Sequence, residues 1–218
     1  MKWPLIFLLL ITDHAICKTT AKEETPVLLQ ELSSKYRKAN LIEMAVEKVV
    51  KSDLLGKETK YLGKIHMAEG LFRWKNQMPE ESLLIFDGST IWNVQYPTAE
   101  FPGPLQVTKA KVSKKNRSQL LVGSLFGKEP LSKQIKIIKQ SPLGHDTLFE
   151  AKPLAQDLSI TAMTLIVDSE KKTLKTLSYL DDVGNLTTLN FSQIQFKTKK
   201  DKSLFKYSPP KDAQVTSI

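Results

Sequence analysis

The chain has 218 residues, enough for one domain around a single hydrophobic core, and its 41% hydrophobic and 25% charged residues exclude disorder as its organising state. A formal net charge of +9 admits an anionic membrane surface, an acidic protein or nucleic acid as partner, because a basic surface attracts all three alike. The basic residues gather at 109–117 ("KAKVSKKNR") and 197–202 ("KTKKDK"), and the plain reading of such runs is a solvated face.

At the start, Lys2 precedes "WPLIFLLLI", an apolar stretch far shorter than the ~20 residues needed to span a bilayer, followed by polar residues and a small-residue site. This predicts a secretory signal peptide over 1–17, cleaved after Cys17, with Ala15 and Cys17 at the small-residue positions, or as late as Ala21 in "TTA". "HAIC" places His14 where a lipobox wants Leu and Ile16 where it wants a small residue, so Cys17 is not expected to carry lipid. If Cys17 leaves with the signal, no cysteine remains, and residues 18–218 form a single domain that stands on its core without disulfides. Export also argues against nucleic acid as the partner.

In "TPVLLQELSSKYRKAN" the spacing of Leu28, Leu29, Leu32 and Tyr36 predicts an amphipathic helix, with Thr25 as cap and Pro26 at the first helical position. The alternation of Ile42, Met44 and Val46 against Glu43 and Glu47 predicts a strand next, although the alanine and glutamates also suit a helix. "ETKYLGKIHMAEGLFRWKNQ" gives two strands broken near Gly70, "SLLIFDGSTIWNVQY" a hairpin through its Asp-Gly turn, and "LQVTKAKV" one strand more. Then "SKKNRSQLLVGSLFGKEP" interrupts the meander with a short apolar helix carrying Leu120, Leu121, Val122, Leu125 and Phe126. Five further strands follow in "KQIKIIKQ", "DTLFEAK", "SITAMTLIVDS", "TLKTLSYLDD" and "NLTTLNFSQIQF", divided by the turn stretches "SPLGHD", "SEKK" and "DVGN". The expected sheet is long and antiparallel.

Catalytic and metal-binding patterns are weak. His66 and His145 lack zinc-site spacing, "GSLFG" is not a G-x-S-x-G elbow, and Asp181-Asp182 and Glu80-Glu81 sit beside turn residues without a partner base. No enzyme, cofactor or metal is expected.

With that order of elements, "GLFRWKNQMPEESLLIFDGSTIW" resembles the signature of the periplasmic outer-membrane lipoprotein carrier family, LolA, in which G-x-F-R-W, a Pro, a strand and D-G-x-x-x-W follow at this spacing. "RSQLLVGSLFGKEPLSKQIKI" is similar to the family's lid segment, "LDDVGNLTTLNFSQIQF" to its late hairpin and "SLFKYSPPKDAQV" to its closing motif. The resemblance implies a mainly β, α+β fold: an incomplete antiparallel barrel, or half-barrel, whose apolar cavity is covered by an N-terminal helix and short lid helices. It implies cavity roles for Phe72, Trp74, Leu84, Phe86 and Trp92, and lid roles for Leu120, Leu121, Leu125 and Phe126. It further implies a monomeric periplasmic carrier of lipoprotein acyl chains, loaded by an inner-membrane lipoprotein-releasing ABC transporter and emptied at an outer-membrane acceptor where one is present.

Two departures stand out. Ala68 and Glu69 occupy the place where many members have a basic residue, often Arg before Pro, that hydrogen-bonds to the lid, and the loop 97–104 ("PTAEFPGP") is longer and richer in proline than usual. Two other classes compete. A periplasmic lipid-sensing regulator of the same fold carries a further C-terminal domain, for which a chain ending shortly after Pro209-Pro210 is not expected to have room; an outer-membrane acceptor needs a lipidated cysteine.

Overall fold

The computed structural model describes residues 25–112, 121–127, 129–155 and 159–218. The expected signal peptide and Leu120 of the expected lid lie outside these residues.

Helix α1 (Val27–Lys38) turns Leu29, Leu32 and Tyr36 inward, as the helical spacing requires. Pro26 rather than Thr25 holds the N-cap position, and no side chain caps the helix; the Thr25 carbonyl instead accepts a hydrogen bond from Gln30 Nε2 at 2.6 Å. Strands β1 (Leu41–Lys51), β2 (Glu58–Ala68), β3 (Leu71–Met78), β4 (Ser82–Phe86), β5 (Thr90–Gln95) and β6 (Gln106–Lys111) make the first meander. Short helix α2 (Leu121–Leu125) and a 3-10 turn (Leu131–Lys133) lead to β7 (Ile135–Leu143), β8 (Asp146–Pro153), β9 (Ile160–Asp168), β10 (Thr173–Asp181) and β11 (Leu186–Lys197). Another 3-10 turn (Lys202–Phe205) precedes β12 (Gln214–Ser217).

Among the described residues these 12 strands form one sheet in the order β12-β6-β5-β4-β3-β2-β1-β11-β10-β9-β8-β7. Strand β1 joins the two meanders by pairing with β2 on one side and β11 on the other. The sheet ends at β12 and β7 without closing, so it is the half-barrel that was expected. One pairing departs from the antiparallel expectation: β12 lies parallel to β6, a strand that the short, fully exposed "QVTS" did not announce.

Period-two alternation sorts side chains between two faces. Ile65, Phe72, Leu165, Leu177 and Leu189 point to the concave face and bury against α1 and α2 in one cluster, each contributing roughly 1.5–3 kcal/mol. The opposite face has a smaller cluster of Leu83, Ile85, Val94 and Val107, with Tyr207 and Ala213 from the C-terminal segment packed on it. Where β2 and β3 change register, at Leu62 and Gly63, the chains come so close that a Cβ on Gly63 would run into the Lys75 carbonyl.

Two buried hydroxyls fasten α1 across the concave face. Ser33 Oγ accepts from Leu131 N at 3.3 Å and Tyr36 Oη from Leu174 N at 3.1 Å. Burial pushes the Tyr36 phenol up to about 12, the hydrogen bond from Leu174 opposing only part of that rise. Its ring packs 4.6 Å from that of Phe126, at the end of α2.

Candidate functional site

Helix α2 roofs the concave face. Leu121, Val122, Leu125 and Phe126 are all buried. Its approach to the sheet depends on Gly123: a Cβ built there would lie 2.9 Å from Cδ2 of Phe72, inside van der Waals contact. Phe72, only 1% exposed, is therefore pressed directly under the helix.

Below and beside α2 lies a cavity of about 580 Å³, within the usual range for a small-molecule site. Phe72 and Phe86 form one wall, Leu121 and Leu125 the roof, and Ile135 and Met163 the far wall. Both halves of the sheet thus contribute. Gln134 ties the roof down at its C-terminal end, its Nε2 donating to the carbonyls of Leu125 at 3.2 Å and Glu129 at 2.8 Å. Sequence reasoning missed Gln134; a lone polar residue before "IKII" carries no pattern of its own.

The expected cavity residues divide. Phe72 and Phe86 line the apolar cavity, whereas Trp74 and Leu84 line a smaller neighbouring recess with Lys48, Asn76 and Asn93. The rings of Phe72 and Trp74 meet edge-on at 6.4 Å between the two spaces. Lys48 could have been found from sequence, because the inner row Ile42, Met44, Val46 reaches it two residues later.

Trp92 does not join them. In the β4–β5 hairpin Phe86 pairs with Ile91, so Trp92 falls opposite Ile85 and faces the other side of the sheet. There its ring packs 5.5 Å from Tyr207, with Lys109 Nζ 5.2 Å above it, and its Nε1 donates to Asp87 Oδ2 at 3.3 Å. The cavity role expected for Trp92 is replaced by a place in the outer cluster. Asp87 organises this turn: burial pushes its carboxyl up, but hydrogen bonds from Thr90, Ser89 and Trp92 outweigh that and hold it below the usual range.

The two departures also have a place. Glu69, in the position of the family's lid-bonding segment, faces solvent and pairs with Lys200 at 3.7 Å. Phe101 in the loop 97–104 is 73% exposed.

Residues 59–208 match the model of a family described as the outer membrane lipoprotein carrier protein LolA. Among curated proteins, the chain is 28% identical over 153 residues to an outer-membrane lipoprotein carrier protein of Nitrosospira multiformis, an alignment covering 68% of each chain. It is 25% identical over 167 residues to one of Chromobacterium violaceum, covering 74% of this chain and 75% of that one. Among solved structures, a LolA superfamily protein from Nitrosomonas europaea aligns with 82% of this chain and 96% of its own, at 9% identity and a TM-score of 0.45.

Proposed function

This chain belongs to the family of the outer membrane lipoprotein carrier protein LolA, and on that premise we propose that it is a periplasmic carrier whose cavity beneath α2 shelters lipoprotein acyl chains. The observation that carries this reading is the roofed cavity of about 580 Å³ between Phe72 and Phe86 on one side and Ile135 and Met163 on the other. Each buried methylene is worth about 0.8 kcal/mol, so releasing one long acyl chain into water costs on the order of 10 kcal/mol. Escape through water is then too slow to be a route. The carrier receives its cargo by contact with an inner-membrane lipoprotein-releasing ABC transporter and gives it up by contact at the outer membrane, to an acceptor where one is present.

The roof suits that cycle. It is short, fastened by apolar contacts and by the Gln134 hydrogen bonds, and so opens at modest cost when a cargo prefers the open state. An environment-sensitive apolar dye is expected to bind the mature protein at one per chain and to be displaced by a diacylated N-terminal lipoprotein peptide, but not by the same peptide without its acyl groups. Phe86→Glu, which sets a carboxylate at the half-buried cavity wall, is expected to weaken that binding at least tenfold. The absence of saturable dye binding, or displacement by the unacylated peptide, would overturn the proposal.

A further inference from the structure

A second recess, of about 180 Å³, opens on the same concave face and is lined by Lys48, Trp74, Asn76, Ser82, Asn93 and the roof residue Leu121. Leu121 also borders the apolar cavity, so the two spaces adjoin at this side chain. The first is mainly apolar, whereas the second sets these polar groups among Leu84, Val122 and Leu189.

Three polar groups in the recess lack the partner that their chemistry calls for. Lys48 holds its Nζ 5.1 Å from the ring of Tyr61 and 5.7 Å from that of Trp74, and among the described residues no carboxylate stands within ion-pair distance of it. Burial lowers its pKa from the ordinary lysine value. Trp74 Nε1 and Asn76 Oδ1 are buried without a hydrogen-bond partner. Such groups are costly in a low-dielectric pocket until something completes them. The ammonium and the indole N–H both need oxygen acceptors, and a cation gains most from a negatively charged one. Asn76 is adaptable, because its bond of 3.0 Å is to Ser82 Oγ, which can donate as well as accept and so lets the amide turn either atom inward.

We infer that this recess is a head-group subsite, which takes the anionic oxygens of an amphiphile whose acyl chain runs past Leu121 into the cavity beneath α2. The inference rests on the acyl-chain reading of that cavity and extends it from a purely apolar cargo to one with a charged head. The π faces of Tyr61 and Trp74 hold the lysine over the recess, and an anion adds the charge they lack.

Two lipids with the same chain separate head from tail: palmitoyl lysophosphatidylglycerol and neutral monopalmitoylglycerol, titrated calorimetrically below their critical micelle concentrations. The wild-type protein is expected to bind the anionic lipid about tenfold more tightly, the gain typical of one charge-assisted hydrogen bond. Lys48→Met is expected to lose that preference while keeping its affinity for the neutral lipid, which also reports that the variant folds; Lys48→Arg is expected to retain it. Inorganic phosphate alone is expected not to compete. Equal wild-type affinities, or a preference that survives in Lys48→Met, would sink the subsite, as would phosphate binding as strongly as the lysolipid, which makes it a free-anion site. If neither lipid binds, it is the acyl-chain reading that fails. The wild-type comparison decides between these outcomes even where the methionine variant does not fold.

Discussion

Gly123 and Phe72 meet where the roof touches the sheet, and the Phe72 ring fills the space that a side chain on Gly123 would need. In a helix, Gly→Ala ordinarily gains up to about 1 kcal/mol. Here the new methyl would lie 2.9 Å from a ring that is itself buried, and overpacking of that kind costs about 1–3 kcal/mol. The steric term wins, so Gly123→Ala is expected to lift α2 rather than strengthen it: amide hydrogen exchange over 121–127 accelerates, while the strands keep their protection. Unchanged exchange would mean that the Phe72 ring gives way instead. The same burial changes what can be asked of Phe72 by mutation. A charge placed there strikes the main core and the cavity together, whereas half-buried Phe86 tests the cavity with less collateral loss.

At the scale of elements, Gln134 is, among the described residues, the side chain that hydrogen-bonds the C-terminal end of α2, its Nε2 serving the carbonyls of Leu125 and Glu129. Gln134→Ala removes both bonds and is expected to cost about 1–2 kcal/mol, most of it from the roof; faster dye exchange with a small drop in melting temperature is the outcome to measure, and an unchanged exchange rate would show that the apolar contacts alone hold α2 closed. How much was legible in the sequence differs between elements for physical reasons. Strand β1 could be read because its inner row alternates strictly, and β4–β5 because Asp87 makes a turn that few other pairs of residues make so well. Strand β12 could not, since four exposed residues have no period to detect and their partner lies 108 positions away, where Gln106 Nε2 donates to Gln214 Oε1. Trp92 shows a different limit. A motif identifies a residue but not its face, and the face was fixed by the pairing of Phe86 with Ile91 across the turn. The recess around Lys48 escaped notice because its lining comes from six strands and α2, and its polar members Asn76, Ser82 and Asn93 each look, alone, like ordinary polar residues.

For the molecule as a whole, the main cluster draws side chains from α1, from α2 and from strands on both sides of β1, so the main core belongs to neither meander alone, and the first meander adds only the smaller outer cluster of β4, β5 and β6. One cooperative thermal transition is therefore expected from the folded domain, with aromatic and backbone circular dichroism changing together; two separated transitions would show that the meanders are independent. The concave face is mainly apolar in the larger cavity and mixed around Lys48, and α2 lines both spaces across an unbroken sheet.

Among the described residues the outer edges of β7 and β12 are unpaired, which has a mechanical consequence for the sheet. A closed barrel has its radius fixed by strand number and stagger. An unclosed one has no such hoop, and its girth is set only by how far the sheet coils around whatever fills it. Opening α2 is then one way to widen the hollow and uncoiling the sheet is another, so its girth is elastic where that of a closed barrel is not.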